Sequence, residues 1–433
     1  MRVGRILKDN YVIPIVCIVL ALVLSSAIAN AMGPGSTGPD ISGEFNQTVN
    51  LSLNGGGLAL GITDYRLALD QNLRQLGINV HGHAHVSVKG WYNHDVSDGT
   101  LLELDEAYID IYRDLFDLRL GQQVVSWGAA YGLNPTDYIN PIPLTSVSDQ
   151  GGFMDISGLP VPAIYVSAYP SWKDTSFEAD VALVLNPRFQ ELPIPGFPIP
   201  ETPKSFVDRL EIAGRIGKNF GMWDLYISGF RGWEDMPVLW FEFGSFPPGE
   251  DSPFLIPKTA YRKATSFGAS ASGTSGPYTF WGEGSYNFPD KMKELDIPSS
   301  NSPISSNDSY FQVVAGADRM FGDAGQYYLM GQYIYNSQGS LLSPYNMPGE
   351  EVKAGHYLAA IARATIHDDH EIELLSIYGI SDDSGIVVPK YTYKINPIFS
   401  AWIGTTFLVG DEGGEFGSLS EGKSAVAGIK AVW

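Results

Sequence analysis

Cysteine is almost absent from this sequence of 433 residues. The single cysteine, Cys17, lies in an apolar segment near the N-terminus and lacks a lipobox-like context. Removal of that segment would leave a chain without any thiol, which excludes disulfide bonds and thiolate sites.

Long hydrophobic runs are scarce as well. After residue 31 no stretch of about 18 apolar residues occurs, which excludes a later transmembrane helix. The one apolar run, at residues 12–24, follows three basic residues and precedes the small-residue stretch SSAIANA. This order predicts a signal peptide over residues 1–31, cleaved after Ala31 or alternatively after Ala29. The other interpretation is a retained membrane anchor, because the run is nearly long enough to span a bilayer.

Basic residues are in the minority. The chain has 27 Lys and Arg against 48 Asp and Glu, for a formal net charge of −21. Loss of residues 1–31 removes three basic groups and one acidic group, which moves that charge to −23. Nucleic acid is excluded as a partner, since its binding requires a basic surface.

Motifs of the common enzyme classes are missing. The sequence contains no G-x-S-x-G elbow, no H-E-x-x-H pair and no P-loop pattern. His, Ser and Asp are present, but no spacing singles out a catalytic triad. We therefore expect no enzymatic activity and no cofactor.

The chain does contain alternating polar and apolar residues from start to finish. Aromatic residues make up 12% of it and Gly occurs 48 times, while helical periodicity is nearly absent. In the clearest stretch, one face carries Ile78, Val80, Gly82, Ala84, Val86 and Val88. The other face carries Asn79, His81, His83, His85, Ser87 and Lys89. Alternation with a period of two predicts β-strands, although a soluble sandwich would show it too.

The lengths of the connections favour one of these folds. Short joints such as RDLFD (113–117) and HDDH (367–370) alternate with long ones such as residues 129–160 and 234–257. Short turns on one rim and long loops on the other are typical of outer-membrane barrels. The sequence therefore predicts an all-β fold, a transmembrane antiparallel up-and-down β-barrel with short periplasmic turns and long extracellular loops.

Residues 40–433 are predicted to form this barrel as a single domain, after a flexible lead-in at residues 32–39. Sixteen strands are the alternative to 18, because residues 57–71 and 386–395 carry the weakest strand patterns. The predicted strands are 40–53, 57–71, 76–92, 101–113, 117–128, 161–170, 175–186, 205–218, 221–233, 258–272, 277–289, 308–320, 325–337, 353–366, 370–382, 386–395, 397–410 and 421–433.

The last predicted strand, GKSAVAGIKAVW, places four apolar side chains and Trp433 on one face. It resembles the terminal strand of bacterial outer-membrane proteins, which typically ends in Phe or Trp. The resemblance implies that Trp433 is part of a signal read by the barrel-assembly machinery.

A second resemblance lies in residues 105–141. A strand of the type RLGxQxxxWG followed by an NPxDxxNP loop resembles poorly characterised porin-like outer-membrane β-barrels of bacteria. The matching residues are Arg119, Leu120, Gly121, Gln123, Trp127, Gly128, Asn134, Pro135, Asp137, Asn140 and Pro141. The resemblance implies a barrel in a membrane and transfers no catalytic role.

The loop after this strand is a candidate for narrowing the pore. Gly128 and two Asn-Pro steps favour a turn-rich excursion. Folded into the lumen, the loop would act as a constriction; the alternative is that it caps the outer rim. The constriction candidates are Asn134, Asp137, Tyr138 and Asn140.

Two further loops stand out. Residues 236–257 are unusually apolar, and Trp240, Phe241 and Phe243 are candidates for an outer ligand site or for packing in the barrel mouth. Residues 186–203 are rich in proline, which suits a structured extracellular projection.

Polar residues at inward positions of the strands are candidates for lining the lumen. They are His81, His83, His85, Lys89, Glu178, Asp180, Arg209, Glu211, Arg215, Asp224 and Glu283. His81 and His83 could bind zinc with Asp105 or Glu103 from the next strand, but three histidines in line cannot readily reach one ion. A polar wall is the simpler interpretation, so no metal site is predicted.

The expected function is passive diffusion of small polar solutes or ions through an outer-membrane pore of a diderm bacterium, with a preference for cations. The expected partners are outer-membrane lipid, the barrel-assembly machinery, small solutes and, in a homotrimer, further copies of the chain. The alternatives are a channel for hydrophobic small molecules and a structural or adhesive surface barrel with a closed lumen.

Overall fold

The computed structural model describes residues 39–52, 58–94, 100–142, 158–172, 175–189, 200–243, 255–292, 307–339, 341, 354–411, 414–417 and 424–433. The predicted signal peptide, most of the lead-in and Cys17 lie outside the described residues. The described part contains no helix long and apolar enough to cross a membrane.

The described chain is almost entirely β-structure. Its main sheet contains β1 (Asp40–Ser52), β2 (Leu58–Asn72), β3 (Gly82–Asn93), β4 (Thr100–Tyr112), β5 (Phe116–Gln123), β6 (Val161–Ala168), β7 (Glu178–Val184), β8 (Glu211–Asn219), β9 (Trp223–Trp233), β10 (Lys263–Ser275), β11 (Tyr278–Pro289), β12 (Tyr310–Phe321), β13 (Tyr327–Asn336), β14 (Gly355–Ile366), β15 (His370–Gly379), β16 (Ser384–Lys394), β17 (Phe399–Thr405, continuing as Phe407–Val409) and β18 (Ser424–Val432).

Each strand of the sheet pairs with its neighbours in sequence, and all pairs are antiparallel. β1 also pairs with β18, which closes the sheet into a barrel of 18 strands. The predicted fold class and strand number are therefore confirmed. Closure leaves no unpaired edge, a requirement for strands surrounded by lipid.

The outer face of the barrel is apolar, as the alternation predicts. On β2 the side chains of Tyr65, Leu67 and Leu69 are exposed on this face, while Arg66 and Asp70 alternate with them on the inner face. Aromatic side chains gather on the outer face near both ends of the strands, as lipid–water interfaces favour. Examples at the rim of short turns are Tyr278, Tyr327, Tyr391 and Tyr393, and at the rim of long loops Phe267, Tyr286, Phe288 and Phe311.

The prediction that β3 begins at residue 76 is wrong. The chain reverses direction over residues 73–81, where Gly77 has a φ of +79° and the Leu73 backbone N–H bonds the Gly82 carbonyl. Ile78, Val80 and His81 therefore lie in this turn rather than on a wall of the barrel.

The start of β8 also differs from the prediction. Residues Phe206–Arg209 form one short helix, α1, and the strand begins only at Glu211. The Arg209 side chain bonds the Pro203 carbonyl and the Asn186 side chain, so Arg209 belongs to the connection before the strand.

Two short hairpins in the described part of the chain lie outside the barrel sheet. One joins Ser171–Trp172 to Thr175–Ser176 at the rim of short turns. The other joins Val238–Phe243 to Leu255–Ala260, so part of the predicted 236–257 loop is a hairpin at the rim of long loops. Backbone pairing places Trp240, Phe241 and Phe243 on this hairpin, but their side chains lie outside the described part of the structure.

Candidate functional site: the lumen and its inner loop

The wall formed by β2, β3 and β4 carries a network of ion pairs on its inner face. Lys89 Nζ lies 3.2 Å from Glu103 and 3.3 Å from Asp105. Arg66 Nε lies 2.7 Å from Asp105, and its Nη2 lies 3.0 Å from Glu106. Lys89, a predicted lumen residue, is therefore neutralised by acids of the adjacent strand.

The three histidines predicted to line the lumen, His81, His83 and His85, do not share one environment. His83 Nε2 and His85 Nδ1 lie 3.1 and 2.7 Å from the same oxygen of Asp70 on the neighbouring strand β2. His81 lies in the turn, exposed, with its ring 5.4 Å from that of Tyr112. No group of three or more metal-ligating side chains is arranged to hold an ion among the described residues.

A second network centres on Arg215 of β8. Its Nε lies 2.6 Å from Asp180, which is buried and also accepts a hydrogen bond from Ser167 at 2.6 Å. Glu178 lies 3.4 Å from Arg215 and accepts the Tyr226 hydroxyl at 2.8 Å. The predicted lumen residues Glu178, Asp180 and Arg215 thus form one cluster.

The other two predicted lumen residues of this wall have local partners. Glu211, the first residue of β8, is buried and accepts the Trp233 backbone N–H at 2.8 Å. Asp224 lies near the rim of short turns, where it accepts a hydrogen bond from Asn219 at 2.9 Å. Neither residue belongs to the Arg215 cluster.

The strand β5 ends at Gln123, whereas the sequence predicts an end at residue 128. The chain therefore leaves the barrel wall at Val124. We call the described part of this connection, residues 124–142 and 158–160, the inner loop. Its described contacts extend to the inner faces of β9, β11 and β13. Of the two predicted courses, lining the lumen or capping the rim, the described part follows the first.

Glu283 on β11 is the principal anchor of the inner loop. Its carboxylate accepts the backbone N–H groups of Ala129 at 3.3 Å and Ala130 at 2.8 Å, and the hydroxyl of Thr136. Gly128 is required beside it, because its φ is +87° and a Cβ there would meet the carboxylate. Glu283 therefore holds the loop instead of facing open solvent.

Gln332 on β13 is a second anchor. Its Oε1 accepts the Tyr131 backbone N–H at 3.0 Å, and its Nε2 donates to the Tyr131 carbonyl at 2.9 Å. The same Oε1 accepts the indole N–H of Trp281 at 2.8 Å, and the Tyr131 ring lies 5.3 Å from that indole. Gln332 thus binds both backbone groups of Tyr131.

Tyr138 extends the contact to a third part of the wall. Its ring stacks on Phe230 at 5.4 Å between centroids, and its hydroxyl lies 3.3 Å from Ser228 Oγ. A Cβ at Gly268 would overlap the Tyr138 hydroxyl, so a residue without a side chain leaves room for it.

Asn140 joins the two legs of the inner loop. Its Oδ1 accepts the Val125 backbone N–H at 2.7 Å, and its Nδ2 donates to the Leu159 carbonyl at 2.6 Å and to the Gln123 carbonyl at 3.3 Å. Asn140 is only 2% exposed. It is a buried residue that holds two parts of the loop together.

Apolar packing fills much of the space behind the inner loop, which the prediction of a polar inner face does not anticipate. One cluster contains Val125, Trp127, Ile139, Val161, Ala163, Ala182, Val184, Ala213 and Phe230. A second contains Trp281, Val314, Met330, Ile334, Tyr357, Ala359, Ile361, Leu375, Ile377, Val388 and Phe416, with Ala129, Ala130 and Leu133 of the loop packed against it. Inward positions covered by loops form a hydrophobic core because they no longer face water.

A cavity of about 490 Å³ remains between the inner loop and the wall of β9 to β13, in the half of the barrel nearer the long loops. Its carboxyl groups include Asp137 on the inner loop and Asp235 on the β9–β10 connection. Burial raises the pKa of Asp137 well above its usual range, and the nearby Asp235 and Glu283 reinforce that shift. Burial, assisted by Glu234, raises the pKa of Asp235 to about 7.

Glu234 has a cationic partner in the same cavity. Its carboxylate forms a bidentate pair with Arg262, with one contact of 3.2 Å to Nη2. Burial raises the pKa of Glu234, although the attraction of Arg262 opposes this rise. The predicted loop residues Asn134, Asp137, Tyr138 and Asn140 all line the cavity with this pair.

Sequence reasoning missed several residues of this region. Gln332, Ser228, Asp235 and Arg262 were not among the candidates, and Glu283 was predicted only as a lining residue. Alternation along β11 and β13 signalled that Glu283 and Gln332 face inward. No local pattern indicated which segment of the chain would meet them.

The chain is similar to several solved structures. OccAB1 of Acinetobacter baumannii has a TM-score of 0.50 at 8% identity, covering 91% of this chain and 95% of that one. OmpF of Salmonella typhi, solved with daunomycin, has a TM-score of 0.46 at 11% identity, covering 91% and 97%. Similarity at this level of identity concerns the fold alone. No curated protein sequence matches the chain.

A family model described as "Protein of unknown function (DUF1302)" matches residues 97–327, which include the inner loop, Glu283 and the cavity wall up to β12. The match covers more than half of the sequence, and the chain therefore belongs to the DUF1302 family of proteins of unknown function.

Proposed function

We propose that this protein is an outer-membrane channel for the passive diffusion of small polar solutes or ions. The observation that carries the proposal is a closed 18-stranded barrel whose inner loop is fastened to the inner wall by Glu283 and Gln332. A loop held in this way would set the size limit of a pore without any input of energy.

The location follows from the same proposal. An apolar outer face with aromatic side chains near both rims suits a lipid bilayer, and the N-terminal sequence suits export through a signal peptide. In this account the short turns are periplasmic and the long loops extracellular. Assembly through the Trp433 end and formation of a homotrimer belong to the proposal as well.

The proposed constriction is formed by the inner loop, with Glu283 as its support. Asn134, Asp137 and Tyr138 contribute side chains to its cavity side, while Asn140 keeps its two legs together. The ion pairs around Lys89 and Arg215 would line the remaining passage. Fixed charges of both signs at close range provide a polar filter.

A surface barrel with a closed lumen is the second candidate, and one observation favours it. Apolar clusters fill the space between the inner loop and the walls, and Phe416 of the β17–β18 connection adds to one of them. If this packing extends across the lumen, no passage remains for solutes.

Planar-bilayer recording separates the two candidates. The purified protein should show discrete, ohmic conductance steps, and a salt gradient should give a reversal potential of cation-preferring sign. Glu283→Ala removes three hydrogen bonds to a carboxylate, each worth about 1.5–3 kcal/mol, so its steps should be larger and noisier than those of the wild type.

Glu373→Ala is the matched control, because it removes a carboxylate from the inner face of β15 whose described partner is Arg363 and not the inner loop. Its current noise should equal that of the wild type. Absence of steps in the wild type would overturn the passive channel and support the closed barrel. Equal noise in the Glu283 and Glu373 variants would remove the loop from the mechanism.

A further inference from the structure

The cavity behind the inner loop has the size of a ligand pocket. Its volume of about 490 Å³ falls within the range of about 300–1,000 Å³ that small-molecule sites occupy. One side is formed by the inner loop from residue 124 to residue 142, and the other by strands β9 to β13 near the long loops. Residues 234–238 border it as well.

Two hydrogen-bond acceptors in this cavity lack partners. Asn134 Oδ1 and Asp137 Oδ1 are both buried and have no hydrogen-bond partner among the described residues. A buried polar atom without a partner costs about 1–3 kcal/mol. A ligand that donates hydrogen bonds would recover that cost.

Acidic side chains outnumber basic ones in the cavity. Its described lining contains the carboxyl groups of Asp137, Glu234 and Asp235 but only one cationic side chain, that of Arg262. Arg262 is already engaged by Glu234. Burial raises the pKa of Asp137 and favours its neutral form, and a positively charged ligand beside it would stabilise the ionised form. An anion would meet no free cationic side chain among the described lining residues.

Aromatic rings form part of the cavity wall. Tyr138 and Phe230, stacked with an interplanar angle of 8°, and Trp233 contribute to the lining. Ring faces attract cations and also accommodate an apolar body. The pocket therefore combines acceptors and negative charge with an apolar wall.

We propose that this cavity binds a small organic cation, a protonated amine attached to an apolar or aromatic body. The ammonium group donates hydrogen bonds to Asp137 and Asn134, and the body packs beside Tyr138 and Phe230. That a solute occupies this site while it passes through the barrel rests on the proposed channel function. Binding itself does not require conduction.

Calorimetric titration of the purified full-length barrel in detergent tests the proposal. The probes are 2-phenylethylamine, the neutral 2-phenylethanol and the anionic 3-phenylpropionate, which share an aromatic body and differ in charge. The amine should bind at least about 10-fold more tightly than the alcohol, as expected for hydrogen bonds to a charged group, and the anion should not bind.

Asp137→Asn keeps the shape of the side chain and should weaken amine binding by about 10-fold or more. Asp114→Asn, in the short turn at the opposite rim, is the matched control and should bind the amine as the wild type does. If Asp137→Asn does not fold, Asn134→Ala replaces it, since the hydrogen bond described at Asn134 is accepted by its backbone carbonyl.

The outcomes distinguish this inference from the channel proposal. Equal affinity for the three probes, or unchanged affinity in the cavity variants, overturns the cation site. A conducting channel that binds no amine overturns the site alone. Specific amine binding by a protein that never conducts supports the site and contradicts the channel.

Discussion

At the scale of single residues, the carboxyl groups inside the barrel differ mainly in their partners. Asp180 and Glu234 each face a guanidinium, and Glu283 is saturated by donors of the inner loop. Asp137 and Asp235 are described without a cationic partner. Because water no longer solvates them fully, their neutral forms are favoured.

The raised pKa of Asp235 predicts a pH dependence of stability. A free aspartate has a pKa of about 3.9, so between that value and about 7 the folded protein binds a proton that the unfolded chain has released. The contribution of Asp235 to the free energy of unfolding should therefore fall as the pH rises through this window, and stay level above it. The titratable groups that influence Asp235 or are influenced by it are Asp137, Glu211, Glu234 and Tyr310.

Urea unfolding in detergent at pH 5 and pH 8 measures this slope. Asp235→Asn cannot titrate and should show a smaller loss of stability between the two pH values. Identical losses in the variant and the wild type would mean that Asp235 keeps an ordinary pKa.

At the scale of elements, pairing between neighbouring strands places opposite charges side by side. Asp180 of β7 is the direct register partner of Arg215 of β8. The Arg215 guanidinium also lies 5.2 Å from the Trp127 ring of the inner loop and 4.5 Å from the Tyr226 ring of β9. One side chain therefore connects two strands of the wall with the loop.

Removal of one member of this pair should be costly. Arg215→Met leaves Asp180 buried and uncompensated, and we expect a loss of about 3–5 kcal/mol in the free energy of unfolding. The double variant Arg215→Met with Asp180→Leu removes both charges and should recover most of that loss. Urea midpoints of the three proteins provide the measurement, and a double variant no more stable than the single one would contradict the explanation.

At the scale of the whole molecule, closure of the barrel depends on the first and last strands. β1 and β18 pair over Glu44–Ser52 and Ser424–Val432, and Gly43 exchanges backbone hydrogen bonds of 3.0 and 3.1 Å with Trp433. A Cβ at Gly43 would overlap the indole ring of Trp433. The seam of the barrel thus includes a specific contact of the residue predicted to be an assembly signal.

Gly43→Val should therefore weaken the seam. Valine suits a β-strand, so the expected defect arises from the overlap with Trp433 and not from strand propensity. Gly331→Val on β13 is the control, because a Cβ there meets no atom within 4 Å. Heat-modifiable migration on a gel should be lost at a lower temperature for Gly43→Val than for the control; equal temperatures would show that the contact is dispensable.

The strands and their order were predictable because their signals are local. Alternation identifies each strand, and the alternation of short and long connections indicates the barrel. The predicted starts of β3 and β8 were wrong, because a turn at Gly77 and the short helix α1 interrupt the alternating pattern. His81 and Arg209 were assigned to the lumen for that reason.

The candidate site was predictable only in part. The Asn-Pro steps indicated an excursion, and Asn134, Asp137 and Tyr138 do line its cavity. Its anchors have no local signal, since Tyr131 and Gln332 are 201 residues apart in sequence. Arg262 and Glu234, which pair at the cavity, are 28 residues apart at the two ends of the β9–β10 connection.

By itself, the sequence determined the barrel, a count of 18 or 16 strands and which residues of a strand share a face, since a period of two and the connection lengths act within each hairpin. The tertiary structure alone decided which inward residues face a passage and which are covered by the inner loop. The physical reason is that closure brings distant strands opposite one another. Only there do Glu283 and Gln332 meet the backbone groups of the loop, and only there do Asn134 and Asp137 keep unpaired oxygens in a cavity.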